Sequence, residues 1–132
     1  MKRTIAAYLT TMVVMMMLDS LWIGFIAASM YENGIGHLMA KEPNLIAAII
    51  FYVIFIAGLM VFAITPNGDI KKAMRAAAIY GFFTYSTYEF TNMATLINWP
   101  VGMAVIDIVW GITISTISAV AGKTVWNKFR QT

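Results

Sequence analysis

Four long apolar stretches alternate with short polar breaks along the chain, at about residues 4–28, 44–65, 73–96 and 100–122. Each is long enough to cross about 30 Å of hydrocarbon at about 1.5 Å per residue, so each predicts a transmembrane helix. The breaks have turn chemistry. Pro43, in Glu42-Pro43-Asn44, suits the first turn of a helix, where its missing N–H costs nothing. Thr65-Pro66-Asn67-Gly68-Asp69 is a compact turn before the third stretch, and Asn98-Trp99-Pro100 is a tight connection into the fourth. Only the segment from about Ser29 to Glu42, carrying Tyr31, Glu32, His37 and Lys41, is long enough for structure of its own, and it reads as a short interfacial piece. The pattern defines an all-α membrane protein: a four-transmembrane-helix bundle, with residues 1–132 forming a single integral membrane domain.

Composition makes lipid the required solvent. Hydrophobic residues are 61% of the chain and charged ones 11%, against about a quarter charged in soluble domains. A soluble fold of this size buries only about 60–70% of its unfolded surface and could not hide so much apolar area. The start, Met1-Lys2-Arg3 and an apolar run, has the outline of a secretory signal with Ala27-Ala28-Ser29 as its cleavage site. The run is too long for a signal core of about 7–15 residues and carries Asp19 in its middle, so it reads as the first membrane helix. The absence of cysteine removes disulfides, thiolate metal sites and Cys nucleophiles.

Charge sets the orientation. Lys2, Arg3, Lys71, Lys72, Arg75, Lys123, Lys128 and Arg130 fall on one side of the four stretches and Lys41 alone on the other. The positive-inside rule then places both termini in the cytoplasm, with the chain multi-pass in a bacterial inner (cytoplasmic) membrane. Trp99 and Trp126 fall at the expected interfaces, as belt aromatics do. The basic residues form no stripe with interleaved aromatics, so membrane lipids, and not nucleic acid, are the expected partner.

Three acidic residues break the apolar stretches: Asp19 in the first, Glu89 in the third, Asp107 in the fourth. A mid-membrane Asp costs roughly 2.5–3.5 kcal/mol on insertion scales, so such residues usually face a cavity or a partner, and no Lys or Arg lies at matching depth. Counted from the outer helix ends, all three fall roughly 10–14 Å below the outer surface, in one layer. A shared layer points to one polar site able to exchange protons or bind a cation. Tyr85, Glu89 and Asn92 share a helix face with Tyr88 beside them, and Asp19 and Asp107 each share a face with the tryptophan three residues on, Trp22 and Trp110. Asp19, Glu89, Asp107, Trp22, Tyr85, Tyr88, Asn92 and Trp110 are therefore the expected binding residues. The second stretch has no charge, offers at most Tyr52, and reads as scaffold. The Asp-x-x-Trp segments, each with a Met four residues before the Asp, also have the form of a short inverted repeat.

Other signals are weaker. Consecutive Met15, Met16 and Met17 point about 100° apart and cannot converge on one soft metal ion, so they serve packing. His37 is a lone loop histidine, and no metal or cofactor constellation is present. Leu18-Asp19-Ser20-Leu21-Trp22, the run Tyr85-Ser86-Thr87-Tyr88-Glu89-Phe90-Thr91-Asn92, and Trp99-Pro100 followed by Asp107-Ile108-Val109-Trp110-Gly111 resemble the DUF2177 family of small predicted membrane proteins, a domain of unknown function. The resemblance covers nearly the whole chain; it implies the same architecture and brings no mechanism. The residues themselves favour a small proton- or cation-coupled transporter taking a small cationic or amphiphilic ligand, a homodimer being expected to enclose a pathway. The alternatives are a membrane enzyme using the carboxylates as acid and base on a lipid or amphiphile, and a non-catalytic ligand-binding or accessory subunit. The last predicts carboxylates paired with Asn92, Tyr85 or Tyr88 and no cavity.

Overall fold

The computed structural model describes residues 1–129; Arg130, counted above among the basic flanking residues, lies outside them. Five α-helices and no strand make up the described chain. Helix α1 spans Lys2–Leu21 and continues as a π turn, Trp22–Ile26; α2 is short, Ala28–Ile35, and runs into a 3₁₀ turn, Gly36–Leu38. Helix α3 spans Leu45–Leu59 with a second π turn, Met60–Ile64; α4 spans Ile70–Thr95 and α5 Val101–Lys128. The first stretch thus ends two residues early and turns into α2, while the last helix runs six residues past its expected end.

Local chemistry sets the starts. Asn44 caps α3 by accepting the Ala47 N–H at 3.1 Å, which leaves Pro43 outside the helix instead of in its first turn. Asp69 caps α4 through the Lys72 N–H at 2.8 Å, and so draws the helix start three residues ahead of the apolar run. Between α4 and α5 the chain reverses at Asn98, whose φ of 58° is a left-handed conformation that asparagine tolerates.

Helix α5 is the central element, packed along α4 and α1 and antiparallel to both. A Cβ on Gly111 would overlap the Tyr85 ring, and one on Gly81 would overlap the Gly111 carbonyl, so these two glycines set how closely α4 and α5 approach. One end of the bundle gathers both ends of the described chain. Arg3 Nε donates to the Trp126 carbonyl at 2.9 Å, with its guanidinium 3.7 Å from the Trp126 ring centre. Lys123, expected beyond the last helix, is buried inside α5 and donates to the Ile64 carbonyl at 2.8 Å and to that of Asn67. The half of the bundle near this end is solid, with Ala7, Ile64, Ala77, Ile114 and Ala119 fully buried.

Lys2–Ile26, Leu45–Ile64 and Val101–Lys128 are long and apolar enough to cross a membrane. Helix α4 has the length, 26 residues, but Lys71, Lys72, Arg75, Glu89 and a run of hydroxyl residues keep it from the same class by composition. Much apolar area faces outward: Ile46 and Ile54 on α3 and Phe62 in the π turn after it are each more than 60% exposed, as lipid-facing side chains are.

Candidate functional site

At the end of the bundle away from the termini, α1, α3, α4 and α5 enclose a cavity of about 610 Å³ with the α2 segment at its edge. Asp19 and Asp107 reach it as buried carboxyls, 5% and 6% exposed. Each is held by aromatic donors from other elements. Tyr52 Oη donates to Asp19 Oδ2 at 2.8 Å, and Trp110 Nε1 to Asp19 Oδ1 at 3.2 Å. The Tyr31 hydroxyl donates to Asp107 Oδ1 and accepts from Trp22 Nε1 at 3.0 Å. Burial, with the carboxyl it donates to, pushes the Tyr31 hydroxyl above its ordinary pKa, so it stays a donor.

The two Asp-x-x-Trp segments meet here. Trp22 and Trp110 stack with ring centres 4.4 Å apart and planes 5° off parallel. Because α1 and α5 run antiparallel, the pairing is reciprocal: the tryptophan of α5 serves the aspartate of α1, and that of α1 serves the aspartate of α5 through Tyr31. The π turn that starts at Trp22, closed by Ala27 N–H to the Trp22 carbonyl at 2.7 Å, marks the place where α1 leaves its regular path beside this site.

Glu89 stands apart from the other two. It is 1% exposed and does not line the cavity. Trp99 Nε1 donates to its Oε2 at 2.7 Å, while no donor among the described residues reaches its Oε1. Its carboxyl interacts with that of Asp107, so that it stands behind the part of the wall that Asp107 forms. The three acids therefore form a pair and a single group bridged by the stacked tryptophans. Among the described residues no three acidic or histidine side chains come together as a metal-holding set.

Of the expected residues, Asp19, Trp22, Tyr85, Tyr88, Asp107 and Trp110 line the cavity, and Glu89 touches it only through Asp107. Asn92 does not line it and lies one turn from Tyr88 on the same helix. The carboxyls take their donors from Tyr31, Tyr52, Trp99 and Trp110, so the pairing with Asn92, Tyr85 or Tyr88 expected of a purely structural role is not what forms. Two readings are corrected. The second apolar helix is more than scaffold, since α3 supplies Tyr52 to Asp19 and Phe51 and Phe55 to the wall. Trp99 is no belt aromatic: it is 8% exposed and folded by the Asn98 turn onto Glu89.

Tyr31, Tyr52 and Trp99 are not among the binding residues expected from the sequence, which places Tyr31 in a loop, Tyr52 on a scaffold helix and Trp99 at an interface. For Tyr52 a signal existed: it lies about eight residues from the start of its stretch, roughly 12 Å deep, in the layer of the carboxyls. Tyr31 gave none, because its place depends on α2 folding back so that Met30, Tyr31 and Ile35 pack on Trp99, Met103 and Ala104.

Helices of this length and polarity, with their apolar faces outward and an acid-floored cavity inside, define a helical integral membrane protein. A family model described as "Predicted membrane protein (DUF2177)" matches residues 4–124, and the chain belongs to that family. No curated protein and no solved structure matches it.

Proposed function

We propose that this protein is a small carrier of the bacterial cytoplasmic membrane that exchanges a cation for protons, crossing the membrane four times with both termini inside. The cavity carries the reading: two buried carboxyls form its floor, and among the described residues no Lys, Arg or His lines it. An acidic floor in a mostly apolar and aromatic wall favours a cationic ligand, because burying a charge is tolerable only when an opposite charge meets it. Both oxygens of Asp19 accept donors from neutral aromatic side chains, so no basic residue competes with a cation for it. Asp107 and Glu89 can bond to each other only with a proton between them, since two ionised carboxylates offer no donor. In this scheme Asp19 holds the cation, and the Asp107–Glu89 pair gives up its proton when the cation arrives. One copy walls the cavity by itself, and a homodimer would serve the route to the other membrane face. With the half of the bundle nearer the termini solid, the cavity would represent the outward-open state.

Helix α4 counts as the fourth span for two reasons. It packs along α5 from Gly81 against Gly111 to Glu89 against Asp107, so it shares the depth of a helix that can cross. Its threonines also satisfy themselves: Thr84, Thr87, Thr91 and Thr95 donate to the carbonyls four residues back at 2.6–2.8 Å, so hydroxyls that count as polar by composition are not exposed donors in lipid. The test is proton counterflow in proteoliposomes holding a pH dye, driven by gradients of sodium, potassium, tetramethylammonium or decyltrimethylammonium. At least one gradient should drive protons in the native protein and not in Glu89→Gln. No coupled flow with any of them, or equal flow in the variant, would sink the proposal.

A further inference from the structure

We infer that the ligand is an amphiphilic cation with a hydrocarbon tail, and that it enters sideways from the outer half of the membrane between the first half of α3 and the end of α1. The inference rests on reading the cavity as a cation site and adds what kind of cation it takes. None of residues 45–54 is buried, whereas Phe55, Ile56, Leu59 and the π turn after them carry the contact of α3 with the rest of the bundle. The first half of α3 thus stands off the bundle, joined to it by long side chains, Tyr52 on Asp19 and Tyr8 of α1 donating to the Val53 carbonyl at 2.9 Å, and the cavity lies in the gap.

The lining residues sort by depth. The carboxyls are buried, with Tyr31, Tyr52 and Tyr85 around them at intermediate exposure. On the side of α1, the α2 segment and α3, the most exposed lining residues are Ile23, Met39 and Phe51, at 52%, 51% and 42%, with Ile35 and Ala48 beside them, all apolar; across from them α4 brings Tyr88, 53% exposed. This rim continues into the outward face of α3 at Ile46, Ile50 and Ile54. A small hydrated ion passing on the α1–α3 side would shed water with no polar side chain there to replace it. A ligand already dissolved in lipid meets a continuous apolar surface. Its tail can stay among Ile23, Ala48 and Phe51 while its head reaches the acids.

The head is specified as well. Two carboxyls without a basic side chain in the wall repel an anionic head, and the indoles of Trp22 and Trp110 suit an alkylammonium or quaternary ammonium. About 610 Å³ is ample for such a head and the first part of a chain.

The experiment compares binding in lipid nanodiscs by tryptophan quenching with tail-brominated decyltrimethylammonium, tail-brominated decyl sulfate and, as a competitor, tetramethylammonium, each corrected for Asp19→Asn protein. The tailed cation should quench saturably and the sulfate should not. Tetramethylammonium should compete only at concentrations at least tenfold higher. Ala48→Trp, which fills the rim, should weaken the tailed cation at least tenfold more than it weakens tetramethylammonium; Ile23→Trp repeats the test from α1 should that variant not fold. Tetramethylammonium binding as tightly as the tailed cation, or rim variants weakening both equally, overturns the lipid route while leaving the carrier proposal intact. Equal binding of the sulfate overturns the cationic head as well. Saturable binding by none of the three overturns this inference, and proton counterflow would then decide the carrier reading separately.

Discussion

At the residue scale, the site is a set of carboxyls whose donors are aromatic. Tyrosine and tryptophan suit this depth because each carries a single polar group on a large apolar body, so an acid can be satisfied without adding a charge. Trp99 and Glu89 are the sharpest case. Glu89 faces Asp107 on one side, and the Trp99 indole N–H is the donor to its Oε2, so removing that N–H would strand this buried oxygen. Trp99→Phe should destabilise the protein by about 1–3 kcal/mol, the usual cost of stranding a buried polar group. In a Glu89→Leu background the same change should cost well under half of that, because there is no oxygen left to strand. Chemical unfolding in mild detergent of the two single variants and the double variant reads this directly, and equal costs in both backgrounds would show that Trp99 matters only for packing. Tyr52→Phe tests the other acid. It should shift affinity for a cationic ligand by roughly tenfold, at a stability cost of about 1–3 kcal/mol for the stranded Oδ2, while Asp19 keeps the bond from Trp110 to its other oxygen. Unchanged binding in an equilibrium titration would remove Tyr52 from the site.

At the element scale, the bundle depends on close approach between α4 and α5. Gly111→Ala would push a methyl group into the Tyr85 ring, which already forms part of the cavity wall, while Gly102→Ala on the same helix meets nothing within 4 Å. The first should cost about 1–3 kcal/mol by overpacking and the second should be close to neutral; thermal unfolding of the pair checks it, and similar melting points for the two would mean that the helices shift apart freely. The elements also show how far the sequence could be read. Asp19 and Asp107 were legible because an acid in an apolar run is anomalous, and they do reach one cavity. The division of labour between them and Glu89 was not legible, since it depends on the helix rotation that turns Glu89 toward Trp99 and Asp107. Helix starts were misjudged where a cap overrode hydropathy: Asp69 recruits Lys71 and Lys72 into α4, although neither belongs to an apolar run. The short helix α2 was visible only as a segment of sufficient length. Its fold comes from tertiary contacts with Trp99 and Met103, which periodicity along the chain does not encode.

At the scale of the whole molecule, topology and packing constrain each other. Composition alone marks three helices as spans, and an odd number of crossings would leave the two ends of the chain on opposite faces. Yet Arg3 bonds the Trp126 carbonyl, and Lys123 bonds the Asn67 carbonyl between α3 and α4, so both ends and that turn lie together at one end of the bundle. The four crossings proposed above would reconcile these contacts with a membrane, and the distribution of Lys and Arg would then place that end in the cytoplasm. The chain has no cysteine, so single-cysteine variants report position without background. In intact bacterial cells, Lys41→Cys should react with a membrane-impermeant maleimide, while Lys72→Cys and Lys128→Cys should react only after the membrane is opened. Reaction of Lys128→Cys alone alongside Lys41→Cys would give three crossings, and it would require the contact between Arg3 and Trp126 to be absent in the membrane. Reaction of Lys72→Cys and Lys128→Cys but not Lys41→Cys would invert the protein. The carboxyls would then lie toward the cytoplasm, and the lateral opening would face the inner leaflet.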